Sequence, residues 1–161
     1  MAAAGAAART HGLRDKIHSQ IISGDAATVG SRLAQELLAA DRGVIHIWGG
    51  ETTVRLPAAP GRGGRAQHLA LSAARTFAGR EGVYLLAVGS DGTDGPTADA
   101  GALVDGGTIE RGSDGGLDSA KALAEADSGS FLEASGDLVQ TGPTGTNVMD
   151  LMIGLRANRS T

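Results

Sequence analysis

Residues 44–89, VIHIWGGETTVRLPAAPGRGGRAQHLALSAARTFAGREGVYLLAVG, decide the fold. The β-branched run 44–48 reads as a buried strand, and 52–56 as a second strand or its extension. Two prolines and three glycines make 57–65 a loop. Beyond it, Leu69, Ala70, Ala73 and Phe77 fall on one face of a helix covering 66–78, and 83–88 is a continuous apolar strand. Strand, glycine loop, helix and strand in succession form the repeating unit of an α/β layered domain.

The flanks extend the same alternation. Upstream, Val29, Leu33 and Leu37 recur at helical spacing, with Ala34 and Leu38, so 26–40 is an amphipathic helix closed by Gly43. Ser23-Gly24-Asp25 supplies a turn and an N-cap before it. Residues 13–22 hold a short strand and 2–8 are helix-prone. Downstream, 89–97 is loop, 98–104 reads equally as either element, 117–126 and 130–134 are helical, and 148–155 is a final apolar strand. The expected fold is an α/β layered domain with a mixed, mainly parallel sheet flanked by helices. Several links are too short for a parallel crossover, hence mixed.

Composition narrows the function. The 161 residues suffice for one domain with a real core, not for two complete ones. Fourteen Lys and Arg against eighteen Asp and Glu give a net charge of -4 without a basic block, which argues against nucleic acid as a partner. With no cysteine, disulfide frameworks and thiolate metal sites are excluded, and an intracellular, cytoplasmic setting fits. No apolar run is long enough to span a bilayer, so no membrane role is expected. Trp48, Phe77, Tyr84 and Phe131 are the only aromatic residues, so the core is aliphatic and stacking platforms for bases are lacking. The 26 glycines gather between the apolar segments, which marks functional loops on a folded scaffold.

Four such clusters carry charge or hydroxyls: GGETTV (49–54), GRGGR (61–65), SDGTDGPT (90–97) and TGPTGTN (141–147). In the second, Gly61, Gly63 and Gly64 lead into a helix N-terminus, where unpaired N–H groups and the dipole favour an anion. Arg62 and Arg65 add bidentate phosphate or carboxylate binding, though a flexible loop with solvated arginines is about as common a reading. It is not a Walker loop, because the Gly-Lys-Ser/Thr ending is missing. Asp91 and Asp94, three residues apart after a strand, suit Mg²⁺ shared with nucleotide phosphates, with Glu51 a third ligand. Read alone, they are turn-building aspartates. Thr144, Gly145, Thr146 and Asn147 can donate to phosphate or to substrate hydroxyls, while Asp150 either caps or ligates. The four histidines show no metal spacing, and His46 reads as packed or hydrogen-bonded. Ser90 lacks a nucleophile-elbow context.

Taken in order, GGETTV, GRGGRAQ, SDGTDGPTADAGALVD and TGPTGTNVMDLMI resemble the C-terminal, MOFRL-type region of the bacterial and archaeal glycerate 2-kinases, also labelled hydroxypyruvate reductases. The resemblance covers about residues 24–155. It implies ATP-dependent phosphoryl transfer to the 2-hydroxyl of D-glycerate with Mg²⁺, in a cleft between two α/β domains. It also implies that residues 1–24 are a helix and strand entering from an N-terminal domain that is missing here, and that 25–161 are the MOFRL-type domain. Carried over by position, Arg65 or Arg62 would stabilise the moving phosphoryl group. Asp91, Asp94 and Glu51 would handle Mg²⁺ or substrate hydroxyls, and Thr144, Thr146 and Asn147 would contact phosphate or glycerate. Two positions depart from the family pattern: Ala66 and Ala126 stand where asparagine is common.

The implied ligands are glycerate and ATP, the implied partner is the missing domain or a partner chain, and homo-oligomerisation is left open. A non-catalytic binding or interaction module is the alternative. A hydroxypyruvate reductase ranks last, because no G-x-G-x-x-G follows the first strands.

Overall fold

The computed structural model describes residues 1–158. In chain order its elements are α1 (Ala2–Thr10), β1 (Arg14–Ile17), β2 (Ile22–Asp25), α2 (Ala26–Ala39), β3 (Val44–Thr53), α3 (Arg65–Phe77), β4 (Val83–Gly89) and β5 (Gly101–Asp105). There follow α4 (Thr108–Asp114), α5 (Ser119–Ala124), α6 (Ser128–Ser135), β6 (Leu138–Val139) and β7 (Asp150–Arg156). The layered α/β expectation holds.

The two long helices form for reasons visible in their sequences. Asp25 caps α2 through its Oδ1, which accepts from the Thr28 amide at 2.9 Å and the Thr28 hydroxyl at 2.8 Å. Val29, Leu33 and Leu37 then turn inward from α2 and are buried. On α3, Leu69, Leu71 and Phe77 are all essentially inaccessible, because this helix lies between α2, the sheet and the α5–α6 pair. Such all-round burial is the mark of a central helix, and it is why the one-sided apolar stripe in the sequence understates it. Fully burying Phe77 or Leu33 contributes about 1.5–3 kcal/mol each. The α2–α3 crossing is close: a Cβ on Gly30 would lie 2.2 Å from the Leu69 carbonyl oxygen.

The sheet runs β1-β3-β7-β4-β5-β6, with β2 following β1 along the outer edge of β3. β1 and β2 pair parallel to β3, whereas β3–β7, β7–β4, β4–β5 and β5–β6 are all antiparallel. The sheet is therefore mixed but mostly antiparallel, which corrects the expectation of a mainly parallel one. The β3–α3–β4 unit does bring its two strands back in the same direction. The last strand, β7, inserts between them with opposite polarity, and no local signal announces that insertion. Along β4 and β7 burial alternates residue by residue, with Leu85, Ala87 and Met152 packed under α2 and α3. The other face is only half-buried at Leu86, Leu151 and Ile153, and exposed at Tyr84 and Leu103. Among the described residues no helix is long and apolar enough to cross a membrane.

Candidate functional site

The carboxyl ends of β3 and β4, the start of β7 and the N-terminus of α3 converge on one cleft of about 620 Å³. Gly50, Asp150 and Gly89 sit opposite one another across β3, β7 and β4, so Asp150 is flanked by two residues without side chains. Its carboxylate is taken by Arg65, the first residue of α3, with Nε at 2.7 Å from Oδ2 and Nη2 at 3.0 Å from Oδ1. Arg65 Nη1 reaches the Glu51 carboxylate at 2.7 Å. Burial pushes the Asp150 carboxyl above its ordinary range, although Arg65 pulls the other way, and the bond to Asp150 raises Arg65 in turn. A guanidinium gripped on one edge by a buried carboxylate keeps a fixed aim into the cleft.

The N-terminus of α3 carries its own anion. Asp94 Oδ1 accepts from the Ala66 amide at 3.0 Å and Oδ2 from the Gln67 amide at 2.7 Å. Gly64 makes room, since a Cβ there would lie 2.3 Å from the Asp94 carboxylate. Burial pushes the Asp94 carboxyl up to about 6 against the pull of these two amides. Asp94 therefore caps a helix, where the sequence suggested a cation ligand. The two amides expected to cradle a ligand are already satisfied.

The glycine loop ahead of α3 is stapled from behind. The Gly61 amide donates to the Glu125 carbonyl, the Arg62 amide to Asp127 Oδ1, and the Gly129 amide back to the Arg62 carbonyl, each at 2.8 Å. Ala126, in the middle of this clasp, has φ of 52°, a left-handed conformation that alanine resists and asparagine tolerates. The Arg62 side chain points out of the cleft: Nη2 bonds the buried Asp99 at 2.8 Å and Nη1 bonds Glu133 at 2.6 Å. Of the two arginines the sequence could not separate, Arg65 faces the cleft and Arg62 secures the loop's outer side.

Glu51, Gly63, Gly64, Arg65, Asp91, Asp94 and Asn147 all line the cleft; Gly61, Arg62, Thr144, Gly145 and Thr146 do not. Thr144 folds its loop onto the rim, its amide donating to the Asp91 carbonyl and its hydroxyl to the Ser90 carbonyl. Asp91 Oδ1 accepts from the Thr93 amide at 3.0 Å, and Oδ2 has Asn147 Nδ2 at 3.4 Å. Among the described residues no three His, Asp or Glu side chains are grouped to hold a metal ion. With Asp94 committed to α3, the residues present do not make a dedicated Mg²⁺ site.

Sequence reading left the role of Asp150 undecided and missed His68. Asp150 sat in an apolar run, and only its register between Gly50 and Gly89 reveals it as the partner of Arg65. His68 lines the cleft one turn into α3, its Nδ1 sharing a hydrogen bond of 3.1 Å with Ser128 Oγ, and burial lowers its pKa. Far from the cleft, His46 is packed and bonded as expected, its Nδ1 3.1 Å from His18 Nε2, with His18 stacked on Trp48.

A cleft at the carboxyl ends of the strands, with glycine loops on its walls and one aimed guanidinium, lies where α/β domains commonly place a ligand site. The chain belongs to the MOFRL family, which matches residues 44–150. It is 53% identical over 109 residues to a D-glycerate 2-kinase of Thermotoga maritima, covering 68% of this chain and 26% of that protein. It is 39% identical over 153 residues to a glycerate 2-kinase of Pyrococcus horikoshii, covering 89% of this chain and 34% of that one. The crystal structure of a Thermotoga maritima glycerate kinase superposes with a TM-score of 0.91 at 40% identity, over 96% of this chain and 39% of that chain. The chain thus spans between a quarter and two fifths of the length of these relatives.

Proposed function

We propose that this chain forms one wall of the active cleft of an ATP-dependent glycerate 2-kinase, with the facing wall supplied by a further domain or partner chain. The observation that carries the reading is Arg65, held by Asp150 and Glu51 at the mouth of α3. Phosphoryl transfer asks little covalent chemistry of a protein and much electrostatic positioning, and a pre-aimed guanidinium supplies it. The names of the relatives agree, and their greater length accords with a cleft that this chain only half encloses.

In this reading Arg65 neutralises charge on the transferring phosphoryl group. The Gly63-Gly64 backbone allows close approach, Asn147 hydrogen-bonds substrate or phosphate oxygen, and Thr144, Gly145 and Thr146 shape the rim on which Asn147 stands. Mg²⁺ would arrive with the nucleotide, Asp91 and Glu51 being accessible carboxylates that line the cleft. The setting is the cytoplasm, where ATP is supplied.

The test is ADP release with D-glycerate and ATP, measured for this chain alone and for the chain mixed with the complementary segment of a longer relative. Glycerate-dependent release in the mixture supports the reading. Folded protein that binds its complement yet releases no ADP contradicts it.

A further inference from the structure

A second concavity lies at the opposite end of the sheet from the cleft, where β4 begins and β7 ends. It encloses about 1050 Å³ and is lined by Arg42, Arg80, Glu81, Gly82, Tyr84 and Arg156 among others. Three guanidiniums meet one carboxylate there, in a chain whose net charge is -4. Among the described residues none of the three arginines forms an ion pair, which is also true of Arg14, Arg55 and Arg75, but only these three line one concavity together.

Two of the three are held in place. Arg42 Nη1 donates to the Ala157 carbonyl at 2.7 Å and passes 3.9 Å from where a Cβ on Gly82 would sit. Arg156 Nη1 donates to the Ala40 carbonyl at 3.0 Å, just past the end of α2. Each bond uses a single N–H and leaves the rest of a five-donor fork uncommitted, with its orientation already fixed. Arg80 is exposed on the turn between α3 and β4, and its side chain makes no hydrogen bond among the described residues. Gly82 takes φ of 71° in that turn, and its carbonyl is tied to the Ala157 amide at 2.7 Å, which joins the two sides of the concavity.

We propose that this concavity is a binding site for a compact anion carrying two or more charges on phosphoryl oxygens. Arg42 and Arg156 form its fixed floor and Arg80 closes over the bound group. Guanidinium forks match phosphoryl oxygens two at a time, and three arginines lining one concavity can each exchange water for such an oxygen. The site stands apart from the cleft and does not depend on the kinase reading.

The test is a titration of the isotopically labelled chain with inorganic pyrophosphate at physiological salt, followed by amide NMR. Shifts should concentrate at Arg80, Gly82, Tyr84 and Ala157. Arg80→Ala, which disturbs no packed contact, should weaken binding about tenfold, the scale of one charge-assisted hydrogen-bonded contact. Arg42→Gln, read by the same shifts, should weaken it further. Shifts confined to Gly64, Asp91 and Asn147, shifts scattered over the whole surface, or an affinity indifferent to Arg80→Ala would each overturn the proposal.

Discussion

Replacing Arg65 by alanine strands a buried carboxylate, and the size of the penalty follows from the geometry. Arg65 makes two bonds to Asp150, whose side chain is 5% exposed, and one to Glu51, which is 56% exposed. The Glu51 bond is a surface contact and contributes about 0–1 kcal/mol. Removing one member of a fully buried pair costs about 3–5 kcal/mol, because the other charge loses its partner. Arg65 is itself 36% exposed, so water entering its place recovers part of this, and about 2–3 kcal/mol is expected. For a chain of this size that corresponds to a fall in Tm of roughly 4–12 °C. Asp150→Asn removes the stranded charge, so the double variant should recover most of the loss, with a coupling energy of about 1.5–2 kcal/mol. Urea unfolding at pH 7 reads this directly through the fluorescence of Trp48, the single tryptophan, which is buried in the core. If the two substitutions add within about 0.5 kcal/mol, the bidentate pair contributes nothing and the site is wrongly described.

Gly30→Ala should destabilise by about 3 kcal/mol, since the new methyl meets the Leu69 backbone, and urea unfolding checks it. Asp94 titrates near 6 when folded against 3.8 ordinarily, so the folded state holds its proton longer. Its contribution is complete below about pH 4 and lost as pH rises through 6, about 3 kcal/mol in all. The stability difference between the parent and Asp94→Asn should shift by that amount between pH 4 and 7, and a parallel pair of profiles would refute it. Ala126→Asn should raise stability by roughly 0.5 kcal/mol by easing the left-handed backbone, measurable as a higher urea midpoint. Asp127→Ala should speed hydrogen exchange at the Arg62 amide about tenfold or more by opening the clasp on the glycine loop, while β4 amides stay protected.

Much of the fold is legible locally because its signals are local. The apolar runs of β3, β4 and β7 and the spacing of Val29, Leu33 and Leu37 each report burial directly. β2 is not legible, because Ser23-Gly24-Asp25 has turn chemistry; it becomes a strand by pairing with β3 at Gly50, where a Cβ would lie 2.1 Å from the Ile22 carbonyl. α4 also escapes, since Thr108–Asp114 has no apolar stripe and is held by Gly112 packing on the ring of Phe131. Strand order is the larger loss. Nothing within the sequence of β7 states that it lies between β3 and β4.

The site divides along the same line. Glycine clusters and their charged neighbours mark the cleft, where Arg65, Glu51, Asp91 and Asn147 do meet. Which of two arginines faces that cleft is decided by distant carboxylates, Asp150 for one and Asp99 for the other. Neither pairing has a signature in sequence spacing.

The proposed function gives the phosphoryl clamp to Arg65 and not to Arg62. It is tested most directly by the kcat for glycerate-dependent ADP release in the mixture with the complementary segment, comparing Arg65→Ala with Arg62→Ala. A fall of about 10³-fold or more is expected for Arg65→Ala, the scale of losing an arginine clamp, and a far smaller loss for Arg62→Ala. An Arg65→Ala protein that folds, binds its complement and turns over at the parent rate would contradict it.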